Sequence, residues 1–130
     1  MLGNAKAFSG FAVDDTDRAR TFYADTLGVD VEVLDAENGL MTLHHPDDRA
    51  TLIYRKDDYV PATYTVLNFR VDDIDETVDG LAARGVQFER YDRMSQDEKG
   101  VMRGRAANRG PDIAWFTDPA GNILSVLQDG

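Results

Sequence analysis

The chain has no cysteine, which excludes disulfides, zinc–thiolate sites and thiol nucleophiles, and suits a reducing cytoplasm. It has only two histidines, the adjacent His44 and His45, too few and too close for a Ser-His-Asp relay. Basic residues are scarce as well. Fourteen Lys and Arg face twenty-four Asp and Glu, a formal charge of −10. Phosphate backbones are held mainly by Lys and Arg, so nucleic acid is a poor partner, and so is an anionic membrane surface. No apolar run approaches the ~20 residues that span a bilayer, and positions 1–8 lack a secretory apolar core. No Gly-x-x-x-x-Gly-Lys precedes a helix, so Glu98-Lys99-Gly100 is not a phosphate loop. A cytoplasmic protein is expected. Its 130 residues suit one ordinary domain.

What is present is a repeat. Phe11-Ala12-Val13-Asp14-Asp15-Thr16-Asp17 returns as Phe69-Arg70-Val71-Asp72-Asp73-Ile74-Asp75, an offset of 58 (69 minus 11). Gly28-Val29-Asp30-Val31-Glu32 returns as Gly85-Val86-Gln87-Phe88-Glu89. Such self-similarity marks two copies of one supersecondary unit, with a cleft expected between them. The single domain therefore divides into module one, about 5–58, and module two, about 63–128.

Each module reads β-α-β-β-β. In the first, a strand at 7–13 leads to a helix at 16–26, with Ala19, Phe22, Tyr23 and Leu27 on one stripe. Strands follow at 29–34, 40–44 and 50–55, separated by Glu37-Asn38-Gly39 and Pro46-Asp47-Asp48. In the second, a strand at 65–71 leads to a helix at 73–84 with the stripe Ile74, Val78, Leu81 and Ala82. Strands are then expected at 86–91, 112–117 and 123–127, with a long loop at 92–111. The aspartates before each helix suit the unpaired N–H groups of its first turn, and Gly28 and Gly85 suit left-handed caps. Side chains alternate in a strand. Phe11 and Val13 therefore face the first helix, while Phe8, Gly10 and Ala12 face away. Their counterparts on the opposite face are Val66, Asn68 and Arg70.

The paired modules, the F-x-V-D-D-x-D segments, Phe22-Tyr23 with Leu27-Gly28, and the closing Trp115-Phe116-Thr117-Asp118-Pro119-Ala120-Gly121-Asn122 resemble the vicinal oxygen chelate superfamily. That group holds glyoxalase I, extradiol dioxygenases and bleomycin-resistance proteins. The resemblance runs from about 7 to 128. It implies an α+β fold in which two βαβββ modules form a curved mixed sheet around a cavity, with helices on the outer face. It also implies a homodimer, because relatives of this size commonly pair.

Metal-dependent members place a His or Gln five residues before the end of each module's first strand, and a Glu on each last strand. Carried over, these positions are Phe8, Val66, Ser125 and, within Thr51-Leu52-Ile53-Tyr54, Ile53 or a neighbour, Leu52 or Tyr54. Divalent ions need imidazole or carboxylate donors. Phe, Val and Ile offer none, so no metal and no cofactor is expected. His44 and His45 point to opposite faces and read as turn residues rather than as a chelating pair with Asp47 or Asp48.

The expected ligand-binding face combines apolar Phe8, Ile53 and Val66 with Arg55, Asn68, Arg70 and Ser125, and Trp115 if it lies opposite Ser125. Arg55 and Arg70 either recognise an anionic or carbonyl end or pair with the chain's own carboxylates. The loop holds Arg93, Lys99, Arg103, Arg105 and Arg109, and reads as a lid carrying Lys99 or as a solvated excursion. Three functions compete: a metal-free small-molecule binder, a lyase, isomerase or dioxygenase-like enzyme with an altered site, and a scaffold for partners. Loss of the inherited donors favours the first. The ligand's identity is open.

Overall fold

A computed structural model describes residues 1–130. The chain divides into two compact units, Met1–Pro61 and Ala62–Gly130. In the first, β1 (Ser9–Val13) leads to α1 (Thr16–Thr21), which continues into a π-helical turn, Phe22–Thr26. Three strands follow: β2 (Asp30–Asp35), β3 (Leu40–His45) and β4 (Arg49–Arg55). In the second, β5 (Thr65–Arg70) leads to α2 (Ile74–Ala83), then β6 (Met102–Arg103), β7 (Asp112–Thr117) and β8 (Ile123–Gln128). Each unit forms its own four-stranded sheet, ordered β1-β4-β3-β2 and β5-β8-β7-β6. The first and last strands of each unit pair parallel and the other pairs are antiparallel. This is the α+β, twice-βαβββ architecture the repeat implies.

Alternation along the strands decides which face each helix covers. In the first unit Phe11 and Val13 of β1 are buried with Met41, Leu43, Thr51, Ile53 and the helical Ala19 and Tyr23. The Tyr23 ring lies 6.2 Å from Phe11 and 5.3 Å from Phe22. The π turn lets the Leu27 amide donate to the Phe22 carbonyl five residues back, at 2.9 Å. It sets Val29 to donate to the Tyr23 carbonyl at 2.8 Å. The core of the second unit holds Ile74 and Val78 with Ala114, Phe116, Leu124 and Val126. Leu81 is half-buried and Ala82 is exposed, so the α2 stripe is narrower than its period suggests.

The paired aspartates are caps. Asp15 accepts from the Arg18 amide and Asp73 from the Glu76 amide, both at 3.1 Å. Removing such a cap costs about 1 kcal/mol. Asp73→Ala is accordingly expected to lower the urea midpoint measurably while leaving far-UV circular dichroism intact at low denaturant.

One expected strand is largely missing. Residues 86–91 contribute only an isolated bridge, Phe88 to Phe116, and the Glu89 amide donating to the Trp115 carbonyl at 2.7 Å. Continuing this antiparallel run would bring residue 91 opposite Ile113, yet Met102 occupies that place. The strand beside β7 is therefore interrupted: residues 90–101 loop out, and β6 resumes the ladder. The loop follows from an insertion within a strand, not from a connection between two strands.

Candidate functional site

In the second unit, Asn68, Ser125 and Trp115 sit side by side on three adjacent strands, in register as Asn68 with Ser125 and Ser125 with Trp115. The fully buried Ser125 hydroxyl donates to the Asn68 side-chain oxygen. Trp115 is 8% exposed, and Tyr91 meets its ring edge-on at 5.6 Å. Tyr91 lies on the looped-out segment and was not singled out from the sequence, because the insertion hides its register with β7. Arg70 ends the same strand as Asn68, but its Nε donates to Asp129, so the alternative of pairing with the chain's own carboxylates describes it. Val66 lies at a register shift between Thr65 and Leu67 and is half-buried.

The Asp118–Asn122 turn, conspicuous in the sequence, is architectural. The buried Asp118 carboxylate accepts from the amides of Ala120 and Asn122 at 3.0 and 2.9 Å, and from the Asn122 side chain at 3.1 Å. This fixes the β7–β8 register and hence the Trp115–Ser125 neighbourhood.

The first unit corrects two assignments. Ile53 is opposite Phe11 in the parallel β1–β4 register and is 0% exposed. It therefore belongs to the helix-side core, not to a ligand-binding face. The β4 side chains of opposite parity are Leu52 and Tyr54. Arg55 shares the parity of Ile53, and it holds the β2–β3 turn. Its amide donates to the Gly39 carbonyl at 2.9 Å and its guanidinium to the Glu37 carbonyl at 3.1 Å. A side chain at position 39 would come within 2.6 Å of the Arg55 Cβ, and Gly39 has a positive φ of 69°, so the glycine is required there. Phe8 immediately precedes β1 and is 69% exposed.

Two residues read as turn histidines from the sequence end β3 instead. On the face opposite the core, His44 Nε2 lies 2.8 Å from Glu32 Oε1. On the other, His45 Nε2 lies 2.9 Å from the Thr51 hydroxyl. Burial, then the neighbouring His44, pushes the His45 pKa down.

Lys99 is also reassigned. Its ammonium contacts Asp79 at 3.1 Å and Asp75 at 3.3 Å, both on α2. Arg103 forks onto Asp75 at 2.6 and 3.1 Å and reaches Asp97 at 2.9 Å. Gln96 stitches the loop further, accepting from the Tyr91 amide and donating to the carbonyls of Glu89 and Gly100. A loop tied to α2 in this way is not a free lid.

Across the chain no three His, Asp or Glu side chains converge in a way that could hold a metal ion. The inherited positions hold Phe8, Val66, Ser125 and, on the non-core face of β4, Leu52 and Tyr54. Apart from hydroxyl groups this set has no donor, and the Ser125 hydroxyl is engaged by Asn68. The residues present do not fit the divalent ion of the metal-dependent relatives.

The sequence matches the Glyoxalase/Bleomycin resistance protein/Dioxygenase superfamily over residues 7–126. The chain belongs to that superfamily. Among solved structures, a superfamily member from Sphaerobacter thermophilus is 26% identical, with a TM-score of 0.70, covering 98% of this chain and 99% of its own. TnmS3, an antibiotic binding protein from a Streptomyces species, is 21% identical at a TM-score of 0.68, covering 98% of each chain. The fosfomycin resistance protein FosX from Listeria monocytogenes is 13% identical at 0.67, covering 95% of this chain and 90% of its own. A comparison with curated proteins finds no match. Superfamily membership thus fixes the fold. No helix is long and apolar enough to cross a membrane.

Proposed function

We propose that this chain is a metal-free small-molecule binding protein of the glyoxalase/bleomycin-resistance type. The observation that carries the reading is the replacement of the inherited metal donors by Phe8, Val66 and Ser125, on an otherwise intact fold. The Asn68–Ser125 pair beside Trp115 supplies what a binder needs, a polar group that orients and an aromatic wall. TnmS3, an antibiotic binding protein, shares the fold, and the reading carries a role of that kind to this chain. The two units act as modules of one domain, and the protein works as a cytoplasmic homodimer. Its apolar Phe8, Val60 and Tyr64 are 69%, 80% and 69% exposed, surface that a second copy would cover.

A native mass spectrum of freshly purified protein, run beside a thermal-shift screen, tests these points together. The expected result is a mass of two chains, no divalent metal, and a thermal shift with hits from an aromatic ligand panel. A ligand at 100 times its dissociation constant adds about 2.7 kcal/mol, several degrees of melting temperature for a domain of this size. One Ni, Zn, Fe or Mn per chain, lost on mutating Ser125 or Tyr54, overturns the metal-free reading.

A second reading, a lyase, isomerase or dioxygenase-like enzyme with a non-standard site, is favoured by one observation. His44 and Glu32 form an imidazole–carboxylate pair at 2.8 Å of the kind that moves protons. Turnover of any panel compound that His44→Ala abolishes without weakening its binding would select this reading over the first.

A further inference from the structure

The loop of residues 90–101 and the turns after β6 line a cavity of about 540 Å³ in the second unit that is open to solvent on the side of Arg93, Met94, Ala107 and Arg109. None of Asn68, Arg70, Trp115 and Ser125 lines it. Its charge is unusual for this chain. Arg93, Arg103 and Arg109 all border it, against a single carboxylate, Asp97. Arg103 is neutralised by Asp75 and Asp97. Asp97 in turn accepts from the amides of Lys99 and Val101, each at 2.9 Å. Arg93 and Arg109 differ from every other arginine of this loop. Neither side chain makes a hydrogen bond or an ion pair, in a chain with ten more acidic than basic groups.

The walls are preorganised. Gln96 bridges three backbone groups across the loop, and Val101 beneath it is fully buried. Gly104 is packed so tightly that a Cβ there would lie 2.5 Å from the Pro111 carbonyl oxygen. Met94, Met102 and Ala107 add apolar surface, and methionine adapts to irregular partners. A volume of this size suits a small organic molecule. Two unpartnered guanidiniums beside apolar side chains suit one with an oxyanion at one end.

We propose that this cavity binds a small organic anion, a carboxylate or phosphate monoester on a compact apolar body, through Arg93 and Arg109. The site is separate from the Asn68–Trp115–Ser125 face and does not depend on the function proposed for it. The probes are benzoate and phenyl phosphate, with benzyl alcohol and benzylamine as neutral and cationic counterparts and inorganic phosphate as the headgroup alone. Titration of the full-length protein, followed by arginine Nε–Hε resonances, is expected to shift Arg93 and Arg109 with one or both organic anions. The two arms tell a carboxylate site from a phosphate site.

The double variant Arg93→Gln/Arg109→Gln should weaken the bound anion at least ten-fold, a charge-assisted hydrogen bond being worth that or more. Arg18→Gln on α1 should leave it unchanged. Both substituted side chains are unpaired and exposed, so circular dichroism of the double variant should match the parent. Several outcomes overturn the proposal: no saturable binding of either anion at millimolar concentration, equal binding of benzyl alcohol or benzylamine, binding of inorganic phosphate as tight as phenyl phosphate, or an affinity the double variant does not change. The double variant also separates this site from the binder reading: a panel hit whose thermal shift it leaves unchanged belongs to the Asn68–Trp115–Ser125 face, so the two fail independently.

Discussion

Replacing Ile53 by glutamate should unfold the first unit rather than install a metal ligand. Counting from the sequence motif puts a carboxylate here in metal-dependent relatives, and Ile53→Glu restores one. Yet Ile53 is fully buried opposite Phe11, among Val13, Met41, Leu43 and Tyr23. No cation partners this core, so the carboxylate would be desolvated without compensation. The effective penalty is several kcal/mol per ion, a large share of the roughly 5–15 kcal/mol that holds a domain together. Ile53→Ala separates charge from shape and should cost about 2–5 kcal/mol through the cavity alone. Tyr54→Glu, one residue on and 36% exposed, should be nearly neutral. Urea unfolding followed by far-UV circular dichroism reads all three. If Ile53→Glu is as stable as Tyr54→Glu, β4 is one residue out of register and Ile53 belongs on the opposite face.

That one-residue question shows where sequence reasoning reached and where it stopped. The repeat, the helical stripes and the caps were legible because they depend on local spacing. Asp15 and Asp73 cap their helices, and Trp115 lies opposite Ser125 as alternation requires. Register between distant strands is set by packing, and no short-range signal reports it. Ile53 and Leu52 are both apolar and β-compatible, so only the parallel pairing of β1 with β4 separates core from face. Arg55 was misplaced for the same reason. Its parity sends it toward the β2–β3 turn, where Gly39 leaves room for it. The missing strand at 86–91 has a different cause. Its residues have strand character, but the insertion that follows removes their hydrogen-bonding partners beyond Phe88 and Glu89. The same insertion brings Tyr91 against Trp115, a contact no periodicity reveals. Long-range ion pairs were equally hidden. Lys99 and Asp75 are far apart in sequence, and charge counting shows only that carboxylates are plentiful.

Acid should release the 90–101 loop from α2 well before it unfolds the sheets. The hydrogen bonds from Arg103, against an opposing effect of burial and with help from Lys99, hold the Asp75 carboxyl at about 2. Asp97 is also held below its ordinary value. Burial alone would raise it, but the Val101 amide, Arg103 and the Lys99 amide together outweigh that. Both are carboxylates whose folded values are depressed, so their contribution is complete above the unfolded value of 3.8. It fades as pH falls from about 4 toward about 2. On the basic side, the hydrogen bond to Asp79, opposed by burial and assisted by Asp75, raises the Lys99 pKa. That contact therefore persists to above the usual lysine range. Isolated surface ion pairs are worth little, and Asp75 is half-exposed. This one differs in being forked and networked: Arg103 bonds two carboxylates at once, with the buried Asp112 3.7 Å away. Arg103→Leu should therefore speed amide exchange at Val101 and Lys99 about ten-fold or more at pH 6, with little effect at Val126 in β8. It should also flatten the acid dependence of those loop amides between pH 4 and 2. Equal protection in parent and variant at pH 6 would mean that Gln96 and the backbone hydrogen bonds hold the loop without the ion pairs. An acid transition that persists unchanged in the variant would assign it to the Asp97 carboxylate and its bonds from the Lys99 and Val101 amides, not to the Arg103 pairs.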